Sequence, residues 1–146
     1  YWGNPEATEE VFNDDGWFRS GDLGYIEDGF VYIVDRVKDL VIRGGENISC
    51  IEVEAAIYAH PSVQEAAVFG IPEERLGETL CTSICLKPSS SLTEEEIKDF
   101  LKDKIAAYKI PSMIKIHLEE LPRVASGKFS KKQLRDDFVA IEQHNS

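Results

Sequence analysis

The chain predicts an α+β domain, a small sheet of mainly antiparallel strands flanked by about three helices and preceded by a β-hairpin. Three observations carry that prediction. Asp28-Gly29 stands between two apolar runs, the strongest short hairpin signal a sequence offers. Three S/T-x-x-E/Q pairs, Ser49 with Glu52, Thr93 with Glu96 and Ser130 with Gln133, read as capping boxes at helix starts. Each is flanked by an apolar pair at staple spacing, Ile48 with Val53, Leu92 with Ile97 and Phe129 with Leu134. Between them run short apolar segments of strand length. A chain of 146 residues can bury one core and carry an appendage.

In chain order, Asn4 before Pro5 reads as the N-cap and first residue of a short helix. The hairpin follows at 23–27 and 30–35. In its second strand Phe30, Tyr32 and Val34 point one way and Val31 and Ile33 the other, so both faces are apolar and call for cover. Without that cover the segment is expected to be disordered, to fold back or to pair with a second copy. Next come a strand at 40–43, a loop at Gly44-Gly45, a helix from about 50 to 59, and strands at 65–70 and 79–87. The polar linker Pro88-Ser89-Ser90-Ser91 leads to a helix from 94 to about 108. A strand at 114–118 and a last helix from 131 to about 141 complete the chain, with a polar tail at 142–146 that frays.

The formal net charge of −11 argues against partnership with nucleic acid or an anionic membrane. One basic run breaks the acidic background: Arg123, Lys128, Lys131, Lys132 and Arg135, of which Lys131 and Lys132 read as a solvated helix face. The three cysteines, Cys50, Cys81 and Cys85, lack metal-ligand spacing and read as reduced, structural thiols. No apolar run approaches the ~20 residues that would span a bilayer, and cytoplasm is the expected location.

Three stretches carry chemistry. Asp22 lies between glycines in GWFRSGDLG, residues 16–24, and by itself reads as a turn acid. Gly44-Gly45 lies in DRVKDLVIRGGENISCIEVE, residues 35–54, where glycine permits positive φ and close approach of another molecule. Lys128 ends SGK in LPRVASGK, residues 121–128. In this order and spacing the three resemble the late motifs of the adenylate-forming superfamily, which comprises acyl-CoA synthetases, peptide-synthetase adenylation domains and beetle luciferases. The resemblance covers nearly the whole chain, and only the C-terminal part of such an enzyme.

The resemblance implies residue roles. Asp22 accepts from both ribose hydroxyls of ATP, a task for a two-oxygen acceptor. Arg36 also reaches the ribose; its alternative is an ion pair with Asp35 or Asp39. Lys38 falls at the hinge about which the small domain swings. Gly44, Gly45 and Glu46 match the loop that lies against the pantetheine arm of coenzyme A. Cys50 stands where relatives often have proline, a structural substitution. Lys128 matches the lysine that stabilises negative charge gathered during adenylation, as a positioned ammonium can.

Residues 1–37 then correspond to the tail of a large N-terminal domain, and 38–146 to the small mobile C-terminal domain. The chain reads as a fragment, inactive alone, because the phosphate loop, the acyl pocket and the acid that helps to hold Mg²⁺ belong to the large domain. The implied parent is an ATP-dependent acyl-CoA synthetase that converts a carboxylic acid, ATP and coenzyme A to acyl-CoA, AMP and pyrophosphate, with the GGENI loop leaning toward fatty or aromatic acids. Its partners are those small molecules and the N-terminal domain, with self-association of the fragment through the hairpin. The protein itself supplies no metal site here. Two alternatives stay open: a peptide-synthetase adenylation domain, and a non-catalytic interaction module that keeps the fold.

Overall fold

The computed structural model describes residues 3 and 5–145, with side chains to residue 140. It divides into two compact units, Tyr1–Lys38 and Asp39–Ser146. The N-cap expected at Asn4 lies outside the described residues.

In the first unit, α1 (Pro5–Val11) precedes β1 (Asp22–Glu27) and β2 (Phe30–Arg36), an antiparallel pair. Asp28 and Gly29 both take positive φ, 51° and 82°, the twist that a two-residue hairpin requires. A register shift lies between Leu23 and Gly24. A Cβ at Gly24 would stand 2.6 Å from the carbonyl oxygen of Tyr32, so the ribbon closes there only with glycine. Apart from that shift the hairpin is formed, where disorder was one of three outcomes expected without cover. Turn chemistry and a Tyr25–Tyr32 stack, with centroids 5.0 Å apart, form it locally while Ile26, Val31 and Ile33 stay exposed.

The second unit is a three-layer sandwich. Its sheet runs β4 (Glu46–Ser49), β3 (Leu40–Arg43), β6 (Gly77–Leu86), β5 (Val63–Glu73), with β7 (Met113–His117) joined parallel to β6 and all other pairings antiparallel. β5 is nearly continuous in apolar residues because both faces are covered. Ala66 and Val68 enter a cluster with Val53 and Ile57 of α2 (Cys50–Tyr58) and Ile97 and Leu101 of α3 (Glu94–Lys102). Ala67, Phe69 and Ile71 enter the opposite cluster with Leu134 and Phe138 of α4 (Lys131–Asn145). Cys81 and Cys85 share that second face and are buried, as the strand period requires.

Several boundaries differ from expectation. Gly44-Gly45 is followed by a strand, β4, and not directly by a helix. α3 stops at Lys102: the N–H groups of Lys104 and Ile105 both donate to the Leu101 carbonyl, and Ile105 and Ile110 turn inward to pack on the core. Pro111 also favours an extended residue before it. α4 continues to Asn145, where a frayed tail was expected. The capping box at α3 is complete, Glu96 N–H donating to Thr93 Oγ1 at 3.2 Å and Thr93 N–H to Glu96 Oε2 at 2.8 Å. At α2 the Ser49 hydroxyl caps the Glu52 N–H, while the Glu52 carboxylate engages Lys109 at 2.7 Å.

Candidate functional site

Asp22 and Arg36 face each other across the end of the hairpin, where register makes them partners. Arg36 Nε lies 3.2 Å from Asp22 Oδ1, an ion pair across the strands. Asp35 is buried and takes the Arg36 backbone N–H at 2.7 Å. The two residues expected at the ribose are thus brought together by strand pairing alone. Beside them Ser20, Gly21, Arg36, Val37 and Lys38 line a concavity of about 280 Å³. Lys38 sits in a single 3₁₀ turn, Val37–Asp39, at the boundary of the two units.

Gly44 and Gly45 form the tight turn of the β3–β4 hairpin, with φ of 60° and 88°. Gly44 N–H donates to the Leu76 carbonyl at 2.8 Å, which ties the turn to the end of the β5–β6 hairpin. A Cβ at Gly45 would meet nothing within 4 Å, so the backbone conformation, not crowding, requires glycine there, and the space beside it is open. Glu46 is exposed and pairs with Arg43 in the ladder.

Lys128 closes a second tight turn. Gly127 N–H donates to the Val124 carbonyl at 2.8 Å and Val124 N–H to the Lys128 carbonyl at 2.9 Å, with Gly127 at φ 84° and a bridge between Arg123 and Phe129. This is a three-residue hairpin loop with glycine in the left-handed position. It holds Lys128 exposed at its exit.

The basic run around it resolves into tethers. Arg123 pairs with Glu65, Lys131 with Glu54 at 2.9 Å, and Arg135 Nε donates to the Gly70 carbonyl at 3.1 Å. Lys131 is therefore an ion-pair partner and not the solvated lysine the sequence suggested. Glu65 was passed over; its signal is a charge inside an apolar strand, which a buried site tolerates only when paired. Cys85, against the same face, is pushed up in pKa by burial first and by the nearby Glu65 and Glu120 charges, so its thiol stays protonated.

The two turns are anchored at different ends of the β5–β6 ladder. The Lys128 hairpin is tied to Glu65, opposite Cys85 at one end of the β5–β6 ladder, whereas Gly44 is tied to the Glu73–Gly77 end. From Glu65 to Glu73, at ~3.4 Å per residue, is about 27 Å along β5. Among the described residues no group of three or more His, Cys, Asp or Glu could hold a metal ion.

Residues 52–128, more than half of the chain, match the family described as the AMP-binding enzyme C-terminal domain. The chain is 47% identical to the mitochondrial medium-chain acyl-CoA ligase of Rattus norvegicus over 99% of its own length and 23% of that protein's. It is 41% identical to the oxalate–CoA ligase of Arabidopsis thaliana over 95% of its length and 27% of that protein's. The crystal structure of ATP-bound MatB from Rhodopseudomonas palustris superposes with a TM-score of 0.86 at 37% identity, covering 94% of this chain and 27% of that one. The chain thus spans about a quarter of the length of these relatives, and it belongs to the family of AMP-binding enzyme C-terminal domains.

Proposed function

We propose that the intact protein is an ATP-dependent, AMP-forming acyl-CoA synthetase and that this chain is its C-terminal part. A carboxylate oxygen attacks the α-phosphorus of ATP, a P–O bond forms and pyrophosphate leaves. The coenzyme A thiol then attacks the carbonyl of the acyl-adenylate, a C–S bond forms and AMP leaves. In this reading Lys128 meets the charge that gathers on the phosphoryl and carboxylate oxygens, Asp22 and Arg36 hold the ribose, and the Gly44-Gly45-Glu46 turn walls the pantetheine path. Lys38, in the one turn joining the units, absorbs the rotation between steps. Mg²⁺ would assist the phosphoryl step; the residues described here do not form a site for it, and it is assigned to the N-terminal part of the protein.

The observation that carries the reading is that the Lys128 hairpin and the Gly44-Gly45 turn are anchored at different ends of the β5–β6 ladder, one at Glu65 and the other at Leu76. A single cleft receives such turns by presenting them in succession, which suits an enzyme with two half-reactions. The acid is not chosen here. Relatives named for medium-chain acids and for oxalate are nearly equally similar to this chain, so a preference for fatty or aromatic acids would come from the N-terminal part. Three buried, reduced cysteines suit a reducing compartment, and cytoplasm remains our assignment, although the rat relative is named as mitochondrial.

The test separates the half-reactions in the intact enzyme. Lys128→Ala is expected to slow adenylation by roughly 10²- to 10³-fold, as other removed electrostatic stabilisers do, and to spare transfer from a supplied acyl-adenylate to coenzyme A. Gly45→Leu should slow transfer and spare adenylation. Gly45→Asn, which tolerates the positive φ better, controls for turn strain. Equal slowing of both steps by both variants would show that the turns act in one conformation and end the reading.

A further inference from the structure

We propose that Glu65 and Arg123 are positioning residues for Lys128: a carboxylate rooted in the buried strand holds the lysine's hairpin, through one guanidinium, in the orientation that adenylation needs. The inference rests on the role given to Lys128 above. Glu65 is buried on β5. One of its oxygens accepts the Leu121 N–H at 2.8 Å, where the chain enters the hairpin segment. The other pairs with Arg123 Nη2.

The same guanidinium donates from Nη1 to the Gly127 carbonyl at 2.7 Å and lies over the Phe129 ring, 4.5 Å from its centroid. Arg123 therefore grips the residue before Lys128 and the residue after it. Lysine could not do this, because only a planar fork reaches a carboxylate and a carbonyl at once while stacking on a ring. The backbone bonds within the hairpin set its shape, but an isolated two-stranded ribbon is marginal in water. Its aim relative to the sheet comes from what ties it down. Leu121 and Leu134, buried in one cluster, anchor the segment at either end; between them Phe129 packs against the same cluster, Lys131 pairs with Glu54 of α2, and the Glu65–Arg123 pair joins the hairpin to β5 through polar contacts.

A misplacement of about 1 Å at a reacting group can cost 10²-fold in rate, so loosening this tether should act on Lys128 and on nothing else in the cycle. Three variants of the intact enzyme test it: Arg123→Ala, Arg123→Lys and Glu65→Gln. Gln keeps an acceptor for the Leu121 N–H and is nearly isosteric, so it and Arg123→Lys carry the test if Arg123→Ala fails to fold. Each is expected to lower kcat for adenylation about 10-fold or more, with KM for ATP within twofold of the parent and transfer from supplied acyl-adenylate unchanged. Combined with Lys128→Ala, each should add no further loss, since a residue that acts through the lysine has nothing left to position.

Losses that multiply in the double variants, a fall in both half-reactions together, or single variants as fast as the parent would overturn the proposal. If Lys128→Ala itself leaves adenylation unchanged, the parent reading of Lys128 falls and takes this one with it. A normal Lys128→Ala effect beside silent Arg123 variants overturns the positioning role alone.

Discussion

Asp22 shows how strand register brings two candidate site residues together before any tertiary contact does. It is paired with Arg36 by the hairpin ladder, and its side chain remains 27% exposed, accessible at the rim of the unit. A ribose diol needs both carboxylate oxygens as acceptors, and in Asp22→Asn one of them becomes a donor. Loss of a hydrogen bond to a charged group is worth about 1.5–3 kcal/mol, so KM for ATP should rise roughly 10- to 100-fold with a smaller change in kcat. Steady-state kinetics of the intact variant checks this, and an unchanged KM would remove Asp22 from the nucleotide site. Arg123 and Arg135 teach the complementary lesson. Both belong to a basic run that reads as one surface feature, yet each spends its guanidinium on the protein itself, at Glu65 and at the Gly70 carbonyl.

Among the elements, β3 and β6 are joined by a device that no local pattern announces. Their ladder contains the single register pair Arg43 with Gly77, and the Glu78 carboxylate extends it by accepting the Ile42 N–H at 2.7 Å. Gly70 makes room for that carboxylate: a Cβ there would stand 2.9 Å from Glu78 Oε1 and 3.1 Å from Val41 Cγ1. Gly70→Ala is therefore expected to destabilise the chain by about 1–2 kcal/mol, chiefly through the displaced hydrogen bond, as denaturant unfolding would measure. On a Glu78→Ala background the cost should shrink, and an undiminished cost would assign the effect to Val41 instead. What was legible here was local. The Asp28-Gly29 hairpin and the α3 cap stand where turn and cap chemistry put them, and Cys81 and Cys85 lie on one buried face as period 2 demands. β4 was missed because Glu46-Asn47-Ile48-Ser49 has little strand propensity, although Gly44-Gly45 after an apolar run is itself a two-residue hairpin signal. α3 was drawn too long because Ile105 continues its helical spacing, whereas the packing of Ile105 and Ile110 on the core is non-local. The Glu65–Arg123 pair, 58 residues apart in sequence, could be suspected from a charge in a buried strand but not paired from sequence alone.

For the molecule as a whole, the first unit is the unusual part. Its hairpin carries Ile26, Val31 and Ile33 at 74%, 68% and 64% exposure, more than a soluble surface ordinarily leaves open in one place. Register puts these three on one face, Ile26 opposite Val31 and Gly24 opposite Ile33, while Tyr25 and Tyr32 stack on the other. The missing Gly24 side chain leaves that first face flat, which is the shape another apolar surface can sit against. In the longer protein proposed above, the N-terminal part is the natural cover. Separated from it, the chain should satisfy the face with a second copy, and sedimentation velocity of this 146-residue chain should show association that deepens with concentration. Replacing Val31 and Ile33 together by Lys places two like charges on the face, opposes pairing, and leaves the Asp28-Gly29 turn and the tyrosine stack intact. The doubly substituted chain should sediment as a monomer with unchanged far-UV circular dichroism. Association that persists in the variant would move the contact to the tyrosine face or to the second unit, and a parent chain that stays monomeric at the highest soluble concentration would mean that the exposed face needs no partner.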